Sequence, residues 1–114
     1  MDFEKLLVWK RSRELSADIY RQLADLRDFG FKDQITRSGL SVPSNIAEGM
    51  ERVSDKEKLH FLNIARASCA ELRTQIYIGM DIDYIMKSVA QDWLSETREI
   101  SSMLTGLMKS IDRP

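Results

Sequence analysis

Apolar residues recur along this chain at spacings of three and four, the period of helices that each bury one face. Val8, Leu15, Ile19, Leu23 and Leu26 fall within a narrow arc of one helical wheel, which predicts a first helix from somewhere between Asp2 and Val8 to about Arg27. Gly30, within Asp28 to Phe31, marks the first turn. A second helix is expected over about Lys32 to Met50, ended by Gly49 and the residues from Met50 to Val53. The third has the clearest start. Ser54-Asp55-Lys56-Glu57 has the spacing of a capping box, in which the serine oxygen and the glutamate carboxylate each satisfy an unpaired amide. Behind it Leu62, Ala65, Cys69, Leu72, Ile76 and Gly79 repeat at 3-4-3-4-3, a coiled-coil-like seam reaching about Met80. Asp81 to Lys87 reads as a connection, and Ser88-Val89-Ala90-Gln91 offers a second capping box. A fourth helix then carries Trp93, Thr97, Ile100, Leu104, Leu107 and Ile111 at 4-3-4-3-4 and should end near Ser110 or Ile111.

Four such helices joined by short connections predict an all-α fold. The expected architecture is an antiparallel up-down-up-down four-helix bundle, with residues 1–114 forming a single domain. The second helix holds the oddest local feature, Pro43 in the run Val42-Pro43-Ser44-Asn45-Ile46-Ala47-Glu48-Gly49. A proline inside a helix removes one backbone donor and crowds the carbonyl four residues earlier, here that of Gly39. A kink at Pro43 is the preferred reading. The alternative is a break, with Pro43 at the first position of a new helix and Val42 at its cap.

Composition narrows the picture. At 114 residues, 43% hydrophobic and 31% charged, the chain can bury one core and has no room for a second domain. Five Gly and two Pro are too few for the frequent turns of an all-β fold. Seventeen basic against eighteen acidic residues give a net charge of −1, so there is no global field to draw in nucleic acid or an anionic membrane. Any such binding has to be local. No run approaches the roughly 18 uninterrupted apolar residues of a membrane span, and the start MDFEKLLVWKR is acidic before it is apolar, unlike a secretory signal. A single free thiol suits a reducing compartment, so a cytoplasmic protein without membrane association is expected.

The same counts weigh against catalysis. One His and one Cys cannot build a disulfide framework, a zinc site or a Cys-His-Asp set. Glu48 and Glu71 could face each other from the second and third helices as in a di-iron bundle. That chemistry also needs two Glu-x-x-His pairs, and only Glu57 and His60 have the spacing, with Glu57 engaged at the cap. Cys69 and His60 stand nine positions apart, on opposite sides of one helix. No phosphate-binding glycine loop or serine-nucleophile motif is present. The expectation is a non-enzyme with no metal and no cofactor.

Two constellations remain. Ser41, Asn45 and Glu48 share one face of the second helix, and Ser68 and Glu71 share one on the third. They read as a structural polar network that satisfies the carbonyl freed by Pro43 and fixes register; a ligand pocket is the sharper alternative. A buried Glu48 would need Arg37, Arg52 or Arg66 as partner. On the first helix Trp9, Lys10, Arg13, Ala17, Tyr20 and Arg21 form a stripe that mixes cations with aromatics, as backbone contact and base stacking require. Glu14, Asp18 and Asp25 flank it. Arg66 and Arg73, seven apart on the third helix, form another aligned pair. Trp9 and Tyr20, outside the core stripe, are also what a subunit interface would use.

The chain resembles the four-helix family of 23S rRNA intervening-sequence proteins, whose relatives include the accessory protein of diversity-generating retroelements. The resemblance rests on Val8-Trp9-Lys10 with Arg13-Glu14-Leu15, and on Asp33-Gln34-Ile35-Thr36-Arg37 leading into the proline-centred run from Ser41 to Gly49. It continues through Ser54, Lys56-Glu57, Phe61-Leu62, Ile64-Ala65-Arg66, Ser68, Ala70-Glu71-Leu72 and Thr74-Gln75. It implies a four-helix protomer assembling into a homopentamer with a central channel. It implies no established catalytic residues, and relatives that serve as a basic platform for nucleic acid and reverse transcriptase. Two functional readings follow. In the first, the chain is a homo-oligomeric accessory protein that binds structured RNA or DNA through Lys10, Arg13, Arg21, Arg66 and Arg73. In the second, it is an oligomeric scaffold for a protein partner and binds no nucleic acid. The first and third helices each sum to about +1 while the residues from Asp81 onward sum to −2, so assembly could segregate charge onto separate faces.

Overall fold

Capping side chains decide where the first turn and two of the four helices begin. In the computed structural model, which describes residues 2–112, the Asp2 carboxylate accepts from Glu4 N–H and starts a single 3-10 turn, Phe3–Lys5. Four helices follow: α1 at Leu7–Gln22, α2 at Phe29–Met50, α3 at Asp55–Asp81 and α4 at Lys87–Ile111. Ser54 Oγ accepts from Glu57 N–H at 3.1 Å at the start of α3. The reciprocal bond of the capping box does not form among the described residues, so only half of that motif is realised.

Three boundaries differ from the sequence expectation. The first connection is Leu23–Arg27, not Asp28 to Phe31: α1 stops at Gln22, and α2 starts at Phe29 because Asp28 caps it, accepting from Phe31 N–H at 3.1 Å. An aspartate that satisfies a first-turn amide outweighs a glycine as punctuation, and Gly30 sits inside the helix. The expected cap at Ser88 is likewise absent. Met86 occupies the cap position of α4 without a side-chain bond, and Ser88 is already helical. The α3–α4 connection is set instead by Gly79, whose carbonyl accepts from both Tyr84 and Ile85 N–H, and by Asp83 in the left-handed region at φ 63°. At Pro43, α2 runs on uninterrupted, which overturns the reading of a break there.

The predicted stripes form the core. Val8, Leu15, Ile19 and Leu23 are buried, as are all six seam residues of α3 and Trp93, Thr97, Ile100 and Leu104 of α4; Leu26, Leu107 and Ile111 pack around them half-buried. Each helix touches the two beside it: α2 lies between α1 and α3, and α4 between α3 and α1. Register descends along each contact. Ser38 meets Glu71 and Ser41 meets Ser68 across α2–α3, while Arg66 meets Thr105 and Tyr77 meets Arg98 across α3–α4. The molecule is 47 Å long and 20 Å across. Among the described residues no helix is long and apolar enough to cross a membrane.

Candidate nucleic-acid interface

The α1 stripe is real as a surface but is built differently from its outline in sequence. Trp9, Lys10, Arg13, Ala17 and Arg21 line one shallow groove of about 530 Å³, together with Glu4 and Glu14. Trp9 is half-buried beneath the 3-10 turn, its ring edge-to-face with Phe3 at 5.3 Å, and the Arg13 guanidinium stands 5.4 Å above it. The tryptophan face is therefore partly covered by protein groups. Arg21 approaches Asp18 at 3.8 Å. Tyr20 leaves this groove and faces another of about 630 Å³, shared with Ala24, Phe29, Lys32, Asp33 and Thr36. Tyr20 is 48% exposed and Phe29 69%, while Leu40, 49% exposed, follows Phe29, Asp33 and Thr36 on the same face of α2.

Arg66 and Arg73 lie in the groove between α3 and α4. Arg66 donates to Thr105 Oγ1 at 3.3 Å and to Asn63 Oδ1 at 3.0 Å, beside Leu59, Met108, Lys109 and Asp112. Arg73 sits one step along, in a recess of about 370 Å³ lined also by Arg98, Ser101, Ser102 and Thr105. Thr105 borders both recesses, so the two form one continuous strip. Arg98 donates to the Tyr77 hydroxyl at 2.7 Å. Sequence reasoning missed Arg98, although its spacing of three, four and seven to Ser101, Ser102 and Thr105 places all four on one helical face.

The polar network forms in part. Ser41 and Ser68 hydroxyls meet at 2.8 Å, and Asn45 donates to the Ser41 carbonyl at 2.8 Å and hydroxyl at 2.9 Å. Glu71 accepts from Ser38 at 2.8 Å, a partner not foreseen. Two expectations fail. Asn45 bonds the carbonyl of Ser41 rather than that of Gly39, the one Pro43 frees; an i to i−4 side-chain bond reaches only its own turn. Glu48 is exposed and pairs with Arg52, just past the end of α2, so it is not a buried member of the network. At Gly39 a Cβ would meet Ile19 at 3.4 Å and Ser16 Cα at 3.8 Å, ordinary contact distances.

Cys69 is fully buried, its thiol donating to the Thr97 carbonyl, and burial pushes it up to about 11 against a smaller opposing pull from Arg73. A thiol so placed is not a nucleophile at neutral pH. His60 is exposed and packs edge-to-face on Phe61. Among the described residues no three His, Cys, Asp or Glu side chains converge as metal ligands.

The sequence model described as 23S rRNA-intervening sequence protein matches residues 4–106. Among solved structures, the chain is similar to a protein of unknown function from the S23 ribosomal protein family of Bacteroides thetaiotaomicron. The two are 26% identical with a TM-score of 0.84, over 90% of this chain and 99% of that one. No curated protein matches the chain.

Proposed function

Because the chain belongs to the 23S rRNA-intervening sequence protein family, we propose that it is a non-enzymatic, homo-oligomeric accessory protein of the cytoplasm that binds structured RNA. The observation that carries this reading is local. A chain of net charge −1 places Arg66 and Arg73 in one groove with, among the described residues, no carboxylate bonded to either, and sets Lys10 and Arg13 around a tryptophan on α1. Such cations contact phosphates without needing a uniformly basic molecule. The family's name, and that of the Bacteroides relative, make ribosomal RNA the first nucleic acid to test.

Self-association multiplies those contacts. Tyr20, Phe29 and Leu40 leave apolar surface on the α1–α2 side, of the kind that a second copy covers, and the family resemblance favours five subunits. Light scattering at micromolar concentration should give a fivefold multiple of 13.2 kDa; a monomer overturns the assembly. Filter binding to structured RNA should weaken as salt rises, with log affinity linear in log salt. Affinity without salt dependence, or none at low salt, overturns RNA binding. The apolar groove at Tyr20 and Phe29 also favours a second reading, an oligomeric scaffold for a protein partner. A partner retained in a pull-down after nuclease treatment supports it.

A further inference from the structure

Among the described residues four arginines pair with acids and five, Arg13, Arg27, Arg66, Arg73 and Arg98, do not; three of those five gather in the α3–α4 groove. Arg11 bonds Glu96 and Glu99, Arg37 bonds Asp33, Arg52 bonds Glu48, and Arg21 lies beside Asp18. Those of the α3–α4 groove bond neutral groups alone: Arg66 to Thr105 and Asn63, Arg98 to the Tyr77 hydroxyl. Arg73, half-buried between them, makes no hydrogen bond or ion pair among the described residues. The recess holding Arg73 and Arg98 is otherwise lined by the hydroxyl-bearing Ser101, Ser102 and Thr105, with no acid in its wall. The adjoining recesses do carry acids: Asp112 lies in the wall of the Arg66 recess beside Lys109, and Glu99 stands on the far side of Arg98, where it already binds Arg11.

A guanidinium keeps its charge at every physiological pH and offers N–H donors in a fixed fork. Two forks with unused donors, facing one recess whose remaining groups are hydroxyls, match a tetrahedral oxyanion: the forks bind its oxygens bidentately and the hydroxyls donate to those left over. A carboxylate ligand would leave most of these donors unused. Arg66 and Arg73 are seven residues apart on one helix, about 10 Å along the groove, so a ligand with several phosphates can meet both. The α1 groove lacks this character, since Glu4 and Glu14 stand in its wall.

We propose that the α3–α4 groove is a phosphate-binding site, in which Arg73 and Arg98 clamp one phosphodiester of an RNA strand, Ser101, Ser102 and Thr105 donate to its oxygens, and Arg66 takes a further phosphate. It rests on the RNA-binding reading above and assigns the contact to one face of the bundle.

The test is fluorescence anisotropy of the full chain with an end-labelled 20-nucleotide RNA between about 50 and 250 mM KCl. The double variant Arg73→Gln/Arg98→Gln should lose at least about tenfold in affinity near 100 mM salt, and its salt slope should fall by about 0.7–1 per site engaged, since the pair holds one phosphate. The control pair Arg37→Gln with Arg52→Gln, arginines outside the groove that already pair with acids, should change affinity less than about threefold. The reverse ranking, or wild-type binding by the double variant, overturns the site while leaving RNA binding intact. Arg73→Lys/Arg98→Lys should recover the slope but not the full affinity, because an ammonium lacks the fork. Should the glutamine variant fail to fold, Ser101→Ala/Ser102→Ala carries the test, with a loss of about threefold expected and no loss overturning the site. If the wild type binds no RNA at about 50 mM salt, the reading of the previous subsection falls, and calorimetry with pyrophosphate decides the groove. Binding abolished by Arg73→Gln/Arg98→Gln makes it a site for a small phosphorylated ligand; no binding overturns it too.

Discussion

Along the α2–α3 seam the backbones nearly touch. A Cβ on Gly49 would lie 3.0 Å from Phe61 Cβ and 3.2 Å from the Lys58 carbonyl, and the hydroxyls of Ser41 and Ser68 meet at 2.8 Å. The α1–α4 seam is spanned by long side chains instead. Arg11 Nε donates to Glu96 at 2.9 Å while its terminal nitrogen reaches both Glu96 and Glu99, and Trp93 Nε1 donates to Asp18 at 2.7 Å. Hydrogen bonds and ion pairs with the two glutamates hold the Arg11 charge even more firmly than usual. One seam is thus fixed by shape at contact distance and the other by charges that reach across a gap. The difference predicts which seam responds to packing and which to salt.

Trp93 is the exception within the charged seam, because its ring is buried, and Trp93→Ala gives the largest expected effect. The loss should be roughly 3–5 kcal/mol in denaturant unfolding. A loss under about 1 kcal/mol would mean that the ion pairs alone hold α1 to α4. Next comes Gly49→Val, which drives a branched side chain into Phe61 and the fixed Lys58 carbonyl. About 1–3 kcal/mol should go, equally at low and high salt. An unchanged melting temperature would show that α2 and α3 separate freely. Arg11→Met is smaller still: below about 1 kcal/mol at low salt and nothing near 1 M, since the pair is half in solvent. A salt-independent loss would move the cause from charge to packing.

The smallest effect is at the corner where Asp28 caps α2 and accepts from the Tyr84 hydroxyl at 2.9 Å. The Phe31 amide first, then Tyr84, hold this carboxyl below its ordinary 3.8. Its contribution is complete above that value and is lost as pH falls through the lower folded one. Asp28→Asn should therefore lower stability by a small amount that is constant above 3.8, and flatten stability against pH below it. An identical acid limb in the variant would remove Asp28 from the acid response.

The buried stripes were legible because a 3-4 repeat survives any helix arrangement: the α3 seam from Leu62 to Gly79 is buried as written. Boundaries were less so, since Gly30 and Ser88 carry the right chemistry at positions where Asp28 and the Gly79 carbonyl act first. The site was half legible. Alignment of Arg66 with Arg73 is a property of one helix, but the choice of Arg98 as their neighbour depends on how α4 lies against α3, which no spacing within either helix encodes. Likewise Glu48 had three candidate arginines, and the one four residues on, just past the end of α2, holds it.

Of the contacts between helices, those of α1 with α4 alone join segments far apart in the chain; the other three link consecutive helices. Pairings between sequence neighbours close short loops and lose little chain entropy, which places this bundle among fast-folding topologies. The closure of α1 onto α4 then belongs late on the folding route, after α2, α3 and α4 have gathered. Arg11→Met should accordingly raise the unfolding rate and leave the folding rate nearly unchanged, whereas Gly49→Val should slow folding itself.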